Sequence, residues 1–455
     1  MAIKQNKTTR KRGVLLSTRG LQRLQKAISL WEEKENQGHH LTLEQLSQHT
    51  NVSAKTISRL WSANKGVDQK TLKLCFNAFN LELNREDYIF LKEENEEEIL
   101  NTISTISKNL DIQTKINSPW LYPDGPVPLD SPLYIERLPI EELIYREVMQ
   151  PGCIVRIQSP RQMGKTSLIL RLLAFASTQG YRTVNLSFTY IDYHCLTNLN
   201  KLLRCICCQI ATKLGIEPNI DDYWREEIGY KLTCSFYLQE YILKQVNRPI
   251  VLVLSEVDHF FEYPHIAQEF FALLYSWCEE ARQNYLWQKL RLVVAYSTEQ
   301  FVSLNINHSP LNIGLPIQLK DFTQEQVEEL ARRYQLQWDT GKESVLLMSL
   351  IGGHPAMIQI ALYHLSYETI TLPKLIEEAI AHGGIYRHHL QQHWVKLQSH
   401  PDLIKTYAEV VATKESVFID PIHAYKLENL GLITFRGDRV LPRCQLYRAY
   451  FSKQF

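Results

Sequence analysis

Residues 152–173 read GCIVRIQSPRQMGKTSLILRLL: a short β-branched run, a polar loop, then an apolar run at helical spacing that stops at Gly180. A buried strand delivering the chain through a tight loop into a helix points successive backbone N–H groups at one spot, the positive end of that helix. Few other features restrict a fold so strongly. The loop follows the pattern G-x-x-x-x-G-K-[ST] at Gly164, Lys165 and Thr166, with Ser159 in place of the first glycine. Serine removes no donor there and costs about 1 kcal/mol if a positive φ is required. Ser159, Pro160, Arg161, Gln162 and Met163 are therefore expected to wrap a polyphosphate. Gly164 lets the backbone approach it, Lys165 neutralises the β and γ oxygens, and Thr166 offers its hydroxyl to Mg²⁺, with Ser167 next on the helix.

Such a loop needs an acid at the end of a neighbouring strand, and VLVLSEVD (Val251–Asp258) supplies it. Ser255 stands where an aspartate would hold Mg²⁺. Glu256 is left as the candidate catalytic base and Asp258 as the candidate metal ligand. With one formal charge missing, the reading is ATP or ADP binding with weak Mg²⁺ and weak or partner-dependent hydrolysis. VVAYSTEQ (Val293–Gln300) ends another strand and places Ser297 and Thr298 as candidate γ-phosphate sensors.

Strand-like and helix-like segments alternate from Leu133 to Lys320, which predicts a parallel sheet covered on both faces. Around this α/β domain the chain divides into a basic arm and helical domain (1–91), a linker rich in acids, Pro and Gly (92–132), a helical lid (321–400) and a winged-helix-like end (401–455). With 455 residues, 45% hydrophobic and 22% charged, the chain has material for several cores. No stretch reaches the ~20 apolar residues of a membrane helix, and no signal-peptide pattern opens it. Nine cysteines show no paired framework, and Cys205, Cys207 and Cys208 fall on an apolar helical run, so buried thiols in a reducing cytoplasm are expected.

Net charge is only +1, yet Met1 to Lys26 holds eight Lys or Arg and no acid, a composition suited to a polyanion. LTLEQLSQHTNVSAKTISRLW (Leu41–Trp61) follows with the form of a helix-turn-helix. Thr42 and Ser53 are placed to cap its helices, Asn51 to take the left-handed turn, and Val52, Ile57 and Leu60 to face inward. The stretch resembles the DNA-binding helices of phage-repressor-like regulators. That resemblance puts Lys55, Thr56, Ser58 and Arg59 on the outer face of a recognition helix. A small helical bundle serving as a protein adaptor fits the same pattern, so DNA and a partner protein are both open as its ligand.

Across residues 125–455, YIERLPIEELIYREVMQPGCIVRIQSPRQMGKTSLILRLL, LVLSEVDHFFEYPHIAQEFFALLYSW, LRLVVAYSTE, LIGGHPAMIQIALYHL and LENLGLI together resemble the AAA-like ATPase domain family common in cyanobacteria, related to STAND signalling NTPases. The resemblance implies that Tyr134 to Arg137 lie near the adenine, that Pro355 of GGHP contacts the base, and that the winged helix packs over the nucleotide. The family usually has aspartate where this chain has Ser255. Together these features predict a nucleotide-gated switch of signalling or defence type. A DNA-binding regulator on a vestigial ATPase-like scaffold is the alternative. A ring-forming motor is disfavoured by Ser255 and by the lack of an identifiable arginine finger; Arg332 and Arg333 read as a solvated helix face.

Overall fold

The computed structural model describes residues 120–299, 314–338 and 341–455, together with parts of the first 90 residues (14–17, 20, 23–24, 26–28, 31–32, 41, 43–53, 56–57 and 67–90). Two compact units divide the chain, 1–116 and 117–455.

In the first unit, β1 (Val14–Leu16), α1 (Leu43–Thr50), α2 (Gln69–Ala78) and β2 (Tyr88–Phe90) surround a core of Leu46, Val52, Ile57, Leu72 and Phe76. Asn51 ends α1 with φ +53. Ser53 then caps the next turn, its hydroxyl and carbonyl both accepting the Thr56 amide. Expected to be all helical, this unit also carries an antiparallel pairing of β1 with β2. Strands of three residues are too short for sequence periodicity to reveal. Lys55, Ser58 and Arg59 lie outside the described residues; the Thr56 hydroxyl bonds to that of Ser53 at 2.8 Å.

The second unit is built on α3 (Ile140–Val148), β3 (Ile154–Ser159), α4 (Lys165–Thr178), β4 (Arg182–Ser187), α5 (Leu199–Leu214), β5 (Ile250–Ser255), α6 (Pro264–Ala281), β6 (Leu290–Ser297) and β7 (Leu315–Gln318). The five strands form one parallel sheet in the order β4-β5-β6-β3-β7. Alternation along β5 shows why both faces need helices. Leu252 and Leu254 enter a core with Ile206 and Ile210 of α5 and Phe270 and Leu274 of α6, whereas Val251 and Val253 enter another with Ile144 of α3 and Leu168 and Leu172 of α4. Every residue of β5 is buried, as a central parallel strand requires. A parallel α/β sheet covered by helices on both faces results, as the alternation of segments predicts. β3 lies between β6 and β7, so its carboxyl end, where ligands bind in such sheets, opens beside the end of β6.

Helices α7 (Gln324–Arg333), α8 (Lys342–Ile351), α9 (Pro355–Ser366), α10 (Leu372–His382), α11 (Arg387–Gln398), α12 (Pro401–Ala412) and α13 (Pro421–Asn429) follow, then the hairpin β8 (Ile433–Arg436) and β9 (Arg439–Pro442), and α14 (Gln445–Phe451). One continuous core joins all of them. Gly352 and Gly353 make the turn from α8 to α9. A Cβ on Gly353 would sit 2.1 Å from the Phe322 carbonyl oxygen, so only glycine permits that approach. Among the described residues no helix is long and apolar enough to cross a membrane.

Candidate phosphate-binding site

Ser159 ends β3 fully buried, and the loop turns through Gln162 (φ +62) and Gly164 (φ +95) into α4. A side chain on Gly164 would be strained at that φ, and its Cβ would lie 2.7 Å from Arg137 Nη2. Among the described residues the amides of Met163, Gly164, Lys165 and Thr166 meet no acceptor, as the orphan donors of a helix start. Lys165 Nζ donates to the carbonyls of Ser159 and Pro160, both at 2.8 Å. Burial pulls its pKa down to about 8, while Asp258 and Glu299 push it back up. Arg161 is half exposed, with its amide on buried Glu299 at 2.7 Å. Thr166 is exposed, whereas the Ser167 hydroxyl accepts the Val127 amide at 2.9 Å.

Along the neighbouring strands, Ser255 donates to the Leu186 carbonyl at 3.3 Å and so faces β4. Glu256 takes a left-handed conformation (φ +60), and its carboxylate accepts from the hydroxyls of Ser187 and Thr189. Burial raises its pKa, but the two hydroxyls outweigh that and hold it below the usual carboxylate range. Asp258 is buried and accepts the Ser297 amide at 2.9 Å, the bond that draws it toward the end of β6. Its position ranks it first among the acids acting on Lys165. The Ser297 hydroxyl accepts the Glu299 amide at 3.3 Å, and Thr298 donates to the Asn429 carbonyl of α13 at 2.8 Å. Thr298 thus touches the carboxy-terminal region.

Tyr134 and Arg137 precede α3. Glu141 holds both, accepting the Tyr134 hydroxyl at 2.7 Å and the Arg137 amide at 2.9 Å. Arg137 reaches back to the Met163 carbonyl at 2.8 Å and lies over the Phe322 ring. Pro355 is buried at the first turn of α9. A cavity of about 530 Å³ opens nearby, lined among others by Ser131, Tyr134, Ile135, Arg171 and Gln326. Arg332 lies on a solvated helix face as expected, whereas Arg333, 35% exposed, also donates to the carbonyls of Pro132 and Tyr134.

Four groups that no local pattern announces grip the loop from its carboxy-terminal side. His389 Nδ1 bonds to Gln162 Oε1 at 2.9 Å. Lys396 donates to Glu299, and through it meets Arg161. Arg443, ion-paired with Asp321 at 2.5 Å, places Nη2 3.3 Å from Met163 Sδ. Gly431 (φ +73) follows α13 so closely that a Cβ there would lie 2.9 Å from Arg443 and 3.2 Å from Pro160.

Tyr447 joins this layer, its hydroxyl 2.7 Å from His389 Nε2 and 3.3 Å from His393 Nε2. Burial lowers the pKa of both histidines to about 3, helped at His389 first by His393 and at both by Lys396 and Arg443, and opposed at His389 by Glu299. The unfolded chain binds protons on these rings below about 6.5, and the folded one does not until near 3. Stability is therefore lost as pH falls across that window, by up to about 1.4 kcal/mol per pH unit for each ring. Melting temperatures followed by circular dichroism should drop steeply below pH 6, and His393→Gln should flatten the slope. An unchanged slope would mean that the layer is open to solvent.

A family model described as an AAA-like domain matches residues 122–453. Among solved structures, the fold is similar to that of the Walker-type ATPase PABY2304 of Pyrococcus abyssi, with 13% identity, a TM-score of 0.50, and coverage of 70% of this chain and 96% of that one. The ORC2 protein of Aeropyrum pernix, solved as ADPNP–ADP complexes, gives 15% identity and a TM-score of 0.43 over 70% of this chain and 93% of that one. By sequence, no curated protein matches.

Proposed function

We propose, because this chain belongs to the AAA-like domain family, that it is an ATP- or ADP-operated switch. The observation that carries this reading is the phosphate loop itself: four free amides at the start of α4, with a lysine ammonium beside them, gripped by His389 and Arg443. Phosphates bind along 159–167, and Arg171, six residues past Lys165 on α4, lines the cavity beside Tyr134 and Ile135. Six residues of helix rise about 9 Å, a span suited to carrying a nucleotide from β-phosphate to base. Tyr134 lines the same cavity, and in this reading it holds the base together with Arg137 and Pro355.

Thr166 would hold Mg²⁺, with Asp258 replacing the aspartate absent at 255. When bound, the cation would offset phosphate charge. Glu256 serves as base, and Ser187 and Thr189 keep it off the reaction, so turnover is slow. Ser297 and Thr298 report phosphate occupancy to α13. As in a STAND-type protein of the cytoplasm, the lid (321–400) and winged-helix part (401–455) convert nucleotide state into control of a helix-turn-helix domain (1–91) through the linker (92–132). That domain takes DNA or a partner protein through Lys55, Thr56, Ser58 and Arg59. Only a ligand with different affinities for two states can drive this, and the γ-phosphate supplies the difference.

Calorimetric titration of the full chain with ATP and ADP, each with and without Mg²⁺, tests the reading. Heat is expected for both, with Mg²⁺ strengthening ATP more than ADP. Silence for both would leave the scaffold without a nucleotide.

A further inference from the structure

Residues 120–139 contain no helix or strand, yet they are fastened on two sides. Trp120, Val127, Leu133 and Ile135 pack into the core of the carboxy-terminal region. Trp120 meets Tyr334 edge-on at 5.6 Å, Tyr122 meets Tyr363 at 5.2 Å, and the Trp120 carbonyl accepts the Tyr367 hydroxyl at 2.7 Å. On the opposite side the attachment is polar. Val127 N–H donates to Ser167 at 2.9 Å, and Arg171 donates to the carbonyls of Val127 and Pro128 at 3.0 and 2.8 Å. Both Ser167 and Arg171 belong to α4, the helix whose first turn is the phosphate site.

The two attachments differ in kind. Apolar burial has no substitute in water, whereas hydrogen bonds to α4 exchange readily for bonds to solvent. If the α/β domain and the carboxy-terminal region part, the stretch ahead of Tyr134 leaves with the latter and its bonds to α4 break, while Tyr134 and Arg137 stay on Glu141 of α3. Leu129, Ser131, Tyr134 and Ile135 also line the cavity beside Arg171, so a base held there fastens the weaker side. We propose that residues 120–135 are a nucleotide-operated strap: a bound nucleotide pins it to α4, and loss of nucleotide frees it. Trp120 stands at the start of this segment, directly after the stretch that leads from residues 1–116, so the strap is the covalent route by which the site can act on the amino-terminal unit. The proposal rests on the nucleotide reading above.

Hydrogen exchange on the full chain, read by mass spectrometry with and without ADP, tests it. ADP should slow exchange about tenfold or more at 120–135, as well as at 159–170. Trp120→Ala, which removes only an attachment to the carboxy-terminal region, should keep the slowing at 159–170 and lose it at 120–126. Tyr122→Ala, a milder change, should do the same in part if the first variant fails to fold. Slowing confined to 159–170 in the unaltered protein would overturn the strap and leave nucleotide binding standing. No slowing at either segment, together with no heat of binding, would overturn the nucleotide reading and the strap with it.

Discussion

Exchanging Lys165 for alanine should weaken binding of ATP and ADP by about a hundredfold, since a hydrogen bond to a charged group contributes about 1.5–3 kcal/mol. The change also removes the two bonds from the ammonium to the Ser159 and Pro160 carbonyls, so an unchanged melting curve is needed to assign the loss to binding. A pH profile gives a second signature. With its pKa drawn down to about 8 by burial, Lys165 of the free protein loses its proton above that pH. Polyphosphate favours the charged form and raises the pKa again. Affinity is therefore steady below pH 8 and declines above it, with proton uptake on binding, and Lys165→Ala removes both effects. Titration calorimetry in buffers of different ionisation heat measures each. An alanine variant that binds as tightly as the parent would place the polyphosphate elsewhere.

The second large effect concerns Glu256. If it activates the attacking water, Glu256→Gln should lower the residual ATP turnover about a hundredfold, the low end of what a general base supplies. The paired change Ser187→Ala with Thr189→Ala acts in the other direction. Those hydroxyls hold the carboxylate against β4, so removing them frees it to reach water and raises its proton affinity toward that of an ordinary carboxylate. Turnover should rise in the paired variant and fall again when Glu256→Gln is added. If the paired variant hydrolysed no faster, the two hydroxyls would be structural supports and not a restraint.

Local signals explain which parts of this molecule can be read from its sequence. The run from Ile154 to Thr178 announces strand, loop and helix because each has its own period and the Gly-Lys-Thr junction allows little else. β5 and β6 are legible as short, mostly aliphatic runs containing β-branched residues and buried on both faces. β7 is not, since Leu315–Gln318 is short and carries a proline. Glu299, His389, Lys396 and Arg443 escape for a different reason. Each gains its role from a residue at least 97 positions away, and nothing beside it in the chain marks that partner. The stretch 120–133 has the proline and glycine content of a loose connector. What its composition conceals is the regular placing of Trp120, Val127 and Leu133 against a distant core.

Gly431 lets the carboxy-terminal part come down on the phosphate loop. It and Arg443 belong to that part, and across from them stands Pro160 of the loop, 3.2 Å from where a Cβ on Gly431 would be. A methyl group there would press on both neighbours at a φ of +73 that suits glycine. Any larger residue would prise the cover from the loop, so the closeness of that fit depends on the absence of a single carbon atom.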